Sequence, residues 1–503
     1  MKKLIAMTLV LALTLTCFLT GCTKVEKNID EVKKEKVVRT NIAAEPDNLH
    51  PWKSAAADTN AIFLNVFEGL LSFNEKGELI PCLAKEWKIS EDGLTYTFSL
   101  RNDVTFHNGK KMTSADVLYS YNALTGLGGE EALTKKFQSV TSIEATDDFT
   151  FVMKLKESSS SFLGLNKVAI LPCDYNEQET KPVGTGPFTF EEYIPGQKIV
   201  LNKNKAYYDK EKMPKIDRAE IYVMTDFGAV VSAVQSGQLD IASVTPDDAK
   251  VLKDKFDIYT SPQNMVQLFA FNNEVAPFDN EDVRKAINYA VNKKEIIDGA
   301  FGGYATELFS NFSPVMQEYY NNELSNVYSF DIEKAKELLK KAGYENGFDM
   351  TITVPGNYQQ HIDSAQILVE QLKKIGINAD VEIIEWATWL DKVYSKAEYQ
   401  STVVAFGGKL DPNDILIRYT TDYKKNFIKF SDKKYDELVN SAAVELDVEK
   451  RAAQYKEAQK ILTEKSASVY ICDPNLTVAS RKDLKGYTFY PINFIDFSKL
   501  YFE

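Results

Sequence analysis

The sequence predicts an α/β protein made of two lobes. Its front section carries the short apolar alternations typical of strands, and residues 348–384 follow the order strand, helix, strand. The composition shifts near residues 270 and 475, where the chain would cross between the lobes and could form a hinge. A chain of 503 residues, 44% of them hydrophobic, is long enough for two or three domains and a large buried core.

The front section is predicted to be rich in strands with scattered helices. In "LTYTFSL" the residues Leu94, Tyr96, Phe98 and Leu100 fall on one face, and "DFTFVMKL" alternates in the same way. The stretch "TSADVLYSYNAL" has the capping pattern of a helix start. Further along, "VGTGPFTF", "QKIVLNKN" and "AEIYVM" are predicted strands, and a helix follows from about Asp226 to Gly237. These elements indicate a mixed sheet covered by helices.

After residue 270 helices become more frequent. Capping residues mark three helix starts, and Gly343 is a plausible stop for the third helix. The predicted starts are Asp279 with Asp282, Asn292 with Glu295, and Asp331 before "EKAKELLKKAGY". The strand "FDMTITVP", the amphipathic helix "DSAQILVEQLKKIG" and the strand "INADVEII" form a β-α-β unit with a parallel pair. "STVVAF" is predicted to be a short buried strand, and the aromatic tail "YTFYPINFIDF" to be strand-like.

Charge and residue usage exclude several kinds of function. The net charge of −13 argues against a nucleic-acid partner, and three histidines are too few for a multi-histidine metal centre. Beyond Cys17 and Cys22 only Cys82, Cys173 and Cys472 remain, and because three cysteines cannot all pair within the chain, a disulfide framework is excluded as the source of the fold. Nucleophile elbows, zinc-type His-Glu pairs, Walker loops and dinucleotide glycine patterns are absent from the sequence. We therefore predict no enzyme activity, no cofactor and no protein-bound metal.

The amino terminus predicts export. Lys2 and Lys3 precede an apolar run from residue 4 to residue 19, so residues 1–21 are predicted to be a secretory signal peptide. "LTGC" at its end resembles the bacterial lipobox, which implies cleavage before Cys22 and a lipid on its sulfur. The alternative is cleavage elsewhere with an incidental Cys22. Residues 22–36 are then the lipidated cysteine and a flexible, charged stalk.

Four stretches carry a resemblance to a known family. They are "AEPDNLHPWKSAAADTNAIFLNVFEGLL" with "LAKEWKISEDGLTYTFSLRNDVTFHNGKKMTSADV", "VGTGPFTFEEYIPGQKIVLNKNKAYY", "FNNEVAPFDNEDVRKAINYAVNKKEII", and "EKAKELLKKAGY" through "EIIEWATW". In this order they resemble solute-binding protein family 5, the extracytoplasmic receptors of peptide and nickel ABC importers. Together they extend over nearly the whole chain after the stalk.

The resemblance implies a two-lobed, periplasmic-binding-protein-like clam-shell with an extra small domain inserted in the first lobe. Ligand binds between the lobes, and closure follows because only the closed form lets ligand contact both. The implied partners are a permease and ATPase subunits, and we expect a monomer. The implied boundaries are lobe I at 37–71, 177–270 and 476–503, the inserted domain II at 72–176, and lobe II (domain III) at 271–475.

The family grips extended peptides by main-chain hydrogen bonds, as an added strand. The resemblance places one partner strand at Ala57, Asp58 and Thr59, after "DNLHP", and pocket residues at Tyr358 and Trp386. The other ligand-contacting segment is Ala405, Phe406, Gly407, Gly408, Lys409, Leu410 and Asp411. Lys409 is the candidate partner for a ligand carboxylate. The competing interpretations are a core tryptophan at 386, a solvated lysine at 409 and a simple turn at Asp411-Pro412.

One position departs from the family pattern. Relatives place an aspartate three residues before the "DP" pair, where it meets the α-amine of the ligand, and here that residue is Gly408. Asp411 or Asp58 would have to substitute for it. The nickel branch places a histidine directly after "DP", and here that residue is Asn413, which weakens a nickel interpretation.

The predicted function is that of a lipid-anchored, extracytoplasmic receptor that binds oligopeptides and delivers them to an ABC importer. The alternatives are a receptor for a nickel chelate or another small solute, and a receptor for one signalling peptide. A lipobox followed by a stalk suits the surface of a Gram-positive cell, where no outer membrane retains an exported protein.

Overall fold

The computed structural model describes residues 35–503, and Lys36–Glu503 form one compact unit. The predicted signal peptide, Cys22 and nearly all of the predicted stalk lie outside the described residues. Within the described part, no helix is both long and apolar enough to cross a membrane.

The strands form several sheets. They are β1 (Val37–Ile42), β2 (Leu71–Phe73), β3 (Leu79–Pro81), β4 (Ala84–Ile89), β5 (Thr95–Leu100), β6 (Val140–Asp147), β7 (Thr150–Leu155), β8 (Phe188–Ile194), β9 (Lys198–Lys203), β10 (Arg218–Val223), β11 (Ile241–Ser243), β12 (Phe256–Pro262), β13 (Met265–Phe271), β14 (Ala305–Glu307), β15 (Phe348–Pro355), β16 (Ile377–Ile384), β17 (Ser401–Gly407), β18 (Ser468–Arg481), β19 (Leu484–Lys485) and β20 (Tyr501–Phe502).

The α-helices lie between and over these strands. They are α1 (Ala57–Phe63), α2 (Ser114–Thr125), α3 (Phe162–Leu165), α4 (Phe227–Ser236), α5 (Pro246–Leu252), α6 (Glu281–Ala290), α7 (Lys293–Phe301), α8 (Ile332–Lys341), α9 (Gln359–Lys373), α10 (Trp386–Trp389), α11 (Asn413–Leu416), α12 (Lys433–Ala442) and α13 (Val448–Glu464). A π-helical turn, Leu390–Ser395, follows α10 directly.

The front section contains two separate four-stranded sheets. One has the order β1-β10-β9-β8 and the other the order β4-β5-β7-β6. In β5 the residues Tyr96, Phe98 and Leu100 are buried on one face, which confirms the predicted alternation. Helix α2 begins with the predicted capping box, in which Asp116 Oδ2 accepts a hydrogen bond from the Thr113 backbone N–H at 3.0 Å.

The larger sheet has the strand order β11-β18-β13-β17-β15-β16, and its part from β17 to β16 belongs to lobe II. Strands β15 and β16 are parallel and α9 connects them, which confirms the predicted β-α-β unit. In β13, Leu268 and Ala270 enter one hydrophobic cluster while Phe269 and Phe271 enter another. Successive strand residues point to opposite faces, so both faces of this sheet are covered by helices and loops.

The chain crosses between the lobes twice, once through β12 and β13 and once through β18. Strand β18 pairs with β13 through its first residues and with β12 through its last residues. Between β12 and β13 the ladder is interrupted at Gln263 and Asn264, and Asn264 has a φ of 61°. Asp473 Oδ1 accepts a hydrogen bond from the Gln263 backbone N–H at 3.2 Å, which joins the two crossings. Burial raises the pKa of Asp473 to about 6.

Two details differ from the sequence-based predictions. Helix α6 is capped by Asn280, whose side chain accepts a hydrogen bond from the Asp282 backbone N–H, and not by Asp279. The aromatic tail is not a strand between residues 487 and 497. Its rings pack instead on lobe I, as Phe497 does on Phe188 at 5.9 Å. Contacts between aromatic side chains can hold a segment in place without strand pairing. Alternation of apolar residues alone does not distinguish such a segment from a paired strand.

Candidate functional site

A cavity of about 980 Å³ lies between the two lobes. One side comes from lobe I and the other from lobe II. We call the first the lobe I wall, which includes Asn41–Ala43, Asp58 and residues 243–247. We call the second the lobe II wall, which includes Tyr358, His361, Trp386, Val404 and Ala405. A cavity of this size, bounded by two lobes, is the default candidate for a ligand site.

The lobe II wall presents aromatic rings. Tyr358 and Trp386 are 42% and 36% exposed, and their ring centroids lie 5.7 Å apart at nearly a right angle. Trp386 stacks on Trp389 at 5.3 Å with the rings almost parallel. Trp389 is buried, and its Nε1–H donates a hydrogen bond to Thr402 Oγ1 at 3.0 Å. The core tryptophan of this segment is therefore Trp389, and Trp386 faces the cavity.

His361 is held in one tautomer. Gln267 donates its amide N–H to Ser364 Oγ at 2.8 Å, so Gln267 Oε1 is the atom that faces His361 Nδ1 at 3.1 Å. Nδ1 must then carry the proton, and Nε2 keeps its lone pair. Burial lowers the pKa of His361 to about 4, so the ring is neutral at neutral pH.

Strand β17 supplies a sheet edge to the cavity. It pairs with β13 along its whole length but with β15 only at Ser401 and Thr402. In the described part of the chain no strand pairs with residues 403–407 on that side, and by the register of the pair residues 405–407 run past the end of β15 at Pro355. Val404 and Ala405 line the cavity. An unpaired strand edge offers backbone N–H and C=O groups to an extended ligand.

The predicted ligand-contacting residues of segment 405–411 differ in whether they line the cavity. Ala405 lines the cavity, whereas Phe406, Gly407, Gly408, Lys409 and Asp411 do not. Phe406 packs against Phe427, with ring centroids 5.4 Å apart. Asp411 Oδ1 accepts a hydrogen bond from the Asn413 backbone N–H at 2.8 Å, which is the geometry of a turn.

Gly408 is fixed by close packing. Its backbone N–H donates to the Asn264 carbonyl at 2.5 Å, and a Cβ at this position would lie 2.1 Å from Asn264 Oδ1. Asn264 in turn donates its side-chain amide to the Pro491 carbonyl at 3.1 Å. The side chain of Asn264 thus fills the space that an aspartate at 408 would need.

The lobe I wall is formed partly by α1. Asp58 lines the cavity, and its Oδ2 accepts a hydrogen bond from the Ala43 backbone N–H at 3.2 Å. Ala57 is exposed beside it, and Thr59 is buried. The interpretation of residues 57–59 as a partner strand is wrong, because they form the first turn of a helix. The carbonyls of that turn accept hydrogen bonds within the helix, so any ligand contact there is made by side chains or free N–H groups.

The described residues contain no cluster of three or more His, Cys, Asp or Glu side chains arranged to hold a metal ion. Sequence reasoning did not identify Gln267 or the orientation of His361 as features of the site. Gln267 and His361 are 94 positions apart, so their hydrogen bond leaves no local pattern in the sequence.

Comparisons with known proteins agree with this geometry. Residues 78–427 match the model of the bacterial extracellular solute-binding proteins, family 5 (middle region). Heme-binding protein A of Haemophilus influenzae is 30% identical over 446 residues, which cover 80% of this chain and 80% of that protein. Di/tripeptide-binding protein 1 of Pseudomonas aeruginosa is 29% identical over 488 residues, which cover 88% and 90% of the two chains.

A solved structure shows the same fold. The ABC transporter-associated periplasmic binding protein DppA from Helicobacter pylori, in complex with the peptide STSA, superposes with a TM-score of 0.71. The match has 26% sequence identity and covers 93% of this chain and 98% of that chain. The family model covers well over half of this sequence. This chain belongs to the bacterial extracellular solute-binding proteins, family 5.

Proposed function

We propose that this protein is the peptide receptor of an ABC importer. The observation that carries the proposal is the unpaired edge of β17, which runs along the cavity beside Trp386. An edge of this kind binds any extended peptide through its main chain, whereas side chains of the peptide meet the aromatic wall. The relatives named for di/tripeptide binding and the ABC transporter-associated DppA complex with a peptide support this assignment.

The proposed ligand contacts are Asp58, Tyr358, Trp386 and Ala405, which line the cavity. The remaining predicted contact residues do not line it in this structure, and we propose that they act after closure, when the lobes approach each other. These residues are Ala57, Phe406, Gly407, Gly408, Lys409 and Asp411, whereas Thr59 is buried within lobe I and is not proposed as a contact. Closure is favoured by a ligand in proportion to its extra contacts with the second lobe.

We further propose the domain boundaries given by the resemblance, with an inserted domain at 72–176. Its sheet, β4-β5-β7-β6, has a hydrophobic cluster of its own that includes Tyr96, Phe98 and Phe151. Cys22 is proposed as the lipid-modified residue that tethers the receptor to the outer face of the cell membrane, with residues 23–36 as spacer. The lipid anchor follows from the sequence motif alone.

Mass spectrometry of what co-purifies tests the proposed function. A fragment of residues 23–503 contains the whole compact unit and is purified without denaturation, then its ligands are released with acid. A ladder of peptides of similar length is the expected result. A porphyrin absorbance band, a nickel signal or one non-peptide mass would contradict the proposal. A single defined peptide would retain peptide binding but shift the role from nutrition to signalling.

A further inference from the structure

The proposed inserted domain is hydrogen-bonded to lobe II at a point outside the ligand cavity. Ser160, which follows β7, donates its backbone N–H to the Ala443 carbonyl at 2.9 Å and its Oγ to the Ala442 carbonyl at 3.0 Å. Arg451 of α13 donates from Nη1 to the Ser160 carbonyl at 3.0 Å. We call these contacts of Ser160 with Ala442, Ala443 and Arg451 the seam, and none of the four residues lines the cavity. Both backbone groups of Ser160 are thus bonded to lobe II.

Arg451 anchors the seam in the core of lobe II. Its Nη2 donates to the Tyr319 hydroxyl, and its guanidinium carbon lies 5.4 Å from the centre of the Tyr319 ring. Tyr319 is buried in the hydrophobic cluster that also contains Trp389. Burial raises the pKa of Tyr319 to about 12, so the hydroxyl is neutral at neutral pH. A hydrogen bond from a charged donor is roughly twice as strong as a neutral one, so Arg451 supplies much of the strength of the seam.

The seam leaves polar atoms unsatisfied. Ser158 Oγ, two residues before Ser160, and Arg451 Nε are buried and have no hydrogen-bond partner among residues 35–503. A buried polar atom without a partner costs at least as much free energy as a typical hydrogen bond contributes. Separation of the seam would give both atoms access to water, and this gain offsets the loss of the hydrogen bonds. The seam can therefore open at a low net cost.

The inserted domain also lies against the segment of lobe II around the start of α11. A Cβ on Gly77 would lie 3.5 Å from Leu410 Cδ2. Burial lowers the pKa of Lys167 to about 8, and the charges of Asp411 and Asp414 oppose part of this effect. Gly77 and Lys167 belong to the proposed inserted domain, whereas the other three residues belong to lobe II. Asp411 is a predicted ligand contact that does not line the cavity in this structure, so the inserted domain lies beside a segment that the ligand would engage.

We propose that the seam is an autoinhibitory contact: it holds the inserted domain on lobe II before ligand binds, and closure of the lobes breaks it. The inference rests on the proposed function, in which Asp411 and its neighbours contact the ligand only after closure. A ligand must then compete with the inserted domain for this segment of lobe II. A contact made only before closure lowers the apparent affinity for every ligand by the same factor, because it stabilises the state that binds less well. The inserted domain thus lowers the affinity of the receptor without touching the ligand.

Hydrogen exchange of the wild-type 23–503 fragment tests this proposal, after bound ligand has been removed by unfolding and refolding. The probes are tri-, tetra- and penta-alanine. Saturation with them should accelerate amide exchange at Ser160 by about 10-fold or more, because its N–H loses the acceptor on Ala443. Exchange at Phe151, in β7 of the same domain, is the control and should not change, since the domain itself stays folded.

Two variants test the same contact through affinity. Arg451→Met removes the charged donor, and in calorimetric titration it should bind these peptides about 5- to 10-fold more tightly than wild-type protein. Ser160→Ala removes only the bonds from Oγ and should bind them about 2- to 3-fold more tightly. Lys434→Met is the control, because its ion pair with Glu457 at 2.9 Å lies within lobe II, and it should change the affinity by less than about 2-fold.

The outcomes separate this inference from the proposed function. If peptides bind but exchange at Ser160 stays equal or slows, or if neither variant of the seam binds more tightly than wild-type protein, the autoinhibitory contact is overturned and peptide binding stands. Binding by a seam variant alone would support both. If no peptide of the set binds to wild-type protein or to either seam variant, both are overturned.

Discussion

The lobe II wall of the cavity presents large rings that rest on a buried core, whereas the lobe I side combines helix starts with rings such as Phe227 and Phe494. Trp386 stacks on Trp389, and Trp389 is anchored by a hydrogen bond to Thr402. In the lobe I wall, the backbone N–H of Ala43 is the one hydrogen-bond partner of the Asp58 carboxylate among residues 35–503. The difference suggests that lobe II supplies a rigid surface for the ligand backbone, and that lobe I supplies charge.

The largest effect is expected from removing the support beneath the lobe II wall. Trp389 is 1% exposed, so Trp389→Ala should lower the free energy of unfolding by about 3–5 kcal/mol through the cavity it leaves. Urea unfolding of the 23–503 fragment measures this loss. Phe330→Ala is the control, because Phe330 is 47% exposed and its truncation should cost little. A loss below about 1 kcal/mol for Trp389→Ala would contradict a rigid lobe II wall.

Truncating Trp386, whose ring stacks on Trp389, should affect peptide binding and not folding. Trp386 is 36% exposed, so Trp386→Ala should change stability by less than about 1 kcal/mol. It should weaken peptide binding by about 1–3 kcal/mol, as expected for an aromatic residue that a ligand covers. Calorimetric titration of the same peptides into both proteins gives the comparison. Unchanged affinity would remove Trp386 from the ligand site.

The pH dependence of stability tests whether His361 is buried in its neutral form. Its folded pKa of about 4 lies below the ordinary value of 6.5, so the unfolded state binds protons more readily in this interval. The stabilising contribution is therefore complete above pH 6.5 and is lost as the pH falls toward about 4. Its full size is about 3 kcal/mol.

The measurement is urea unfolding of wild-type protein and His361→Gln between pH 7 and 4.5. Wild-type protein should lose more stability than the variant over this range, because only wild-type protein contains the buried imidazole. His107 and Asp473 titrate in the same range, with pKa values of about 4 and about 6, and they remain in both proteins. Their effects cancel in the difference. Equal slopes for the two proteins would show that His361 is not buried in neutral form.

Local patterns predicted much of the framework that positions the site. The β-α-β unit, the buried strand β17 and the capping of α2 and α8 follow from periodicity and capping residues near one another in sequence. Helix α1 was missed, although its buried residues Thr59, Ile62 and Phe63 follow helical spacing.

The contacts that shape the cavity were not predictable in the same way. The room at Gly408 is taken by Asn264, and the two residues are 144 positions apart. The proton on His361 depends on the amide of Gln267, and therefore on Ser364. Interactions of this kind depend on how strands from distant parts of the chain pair, so no local pattern in the sequence predicts them.

Hydrogen exchange along β17 tests most directly whether the ligand is gripped through its main chain. Amide exchange in residues 401–411 is compared with and without a saturating pool of tri- to pentapeptides, and β16, an edge strand of the same sheet that does not line the cavity, serves as the control. Added protection in 401–411 with no change in β16 is the predicted result. Peptide binding that leaves exchange in 401–411 unchanged would contradict an added strand at this edge.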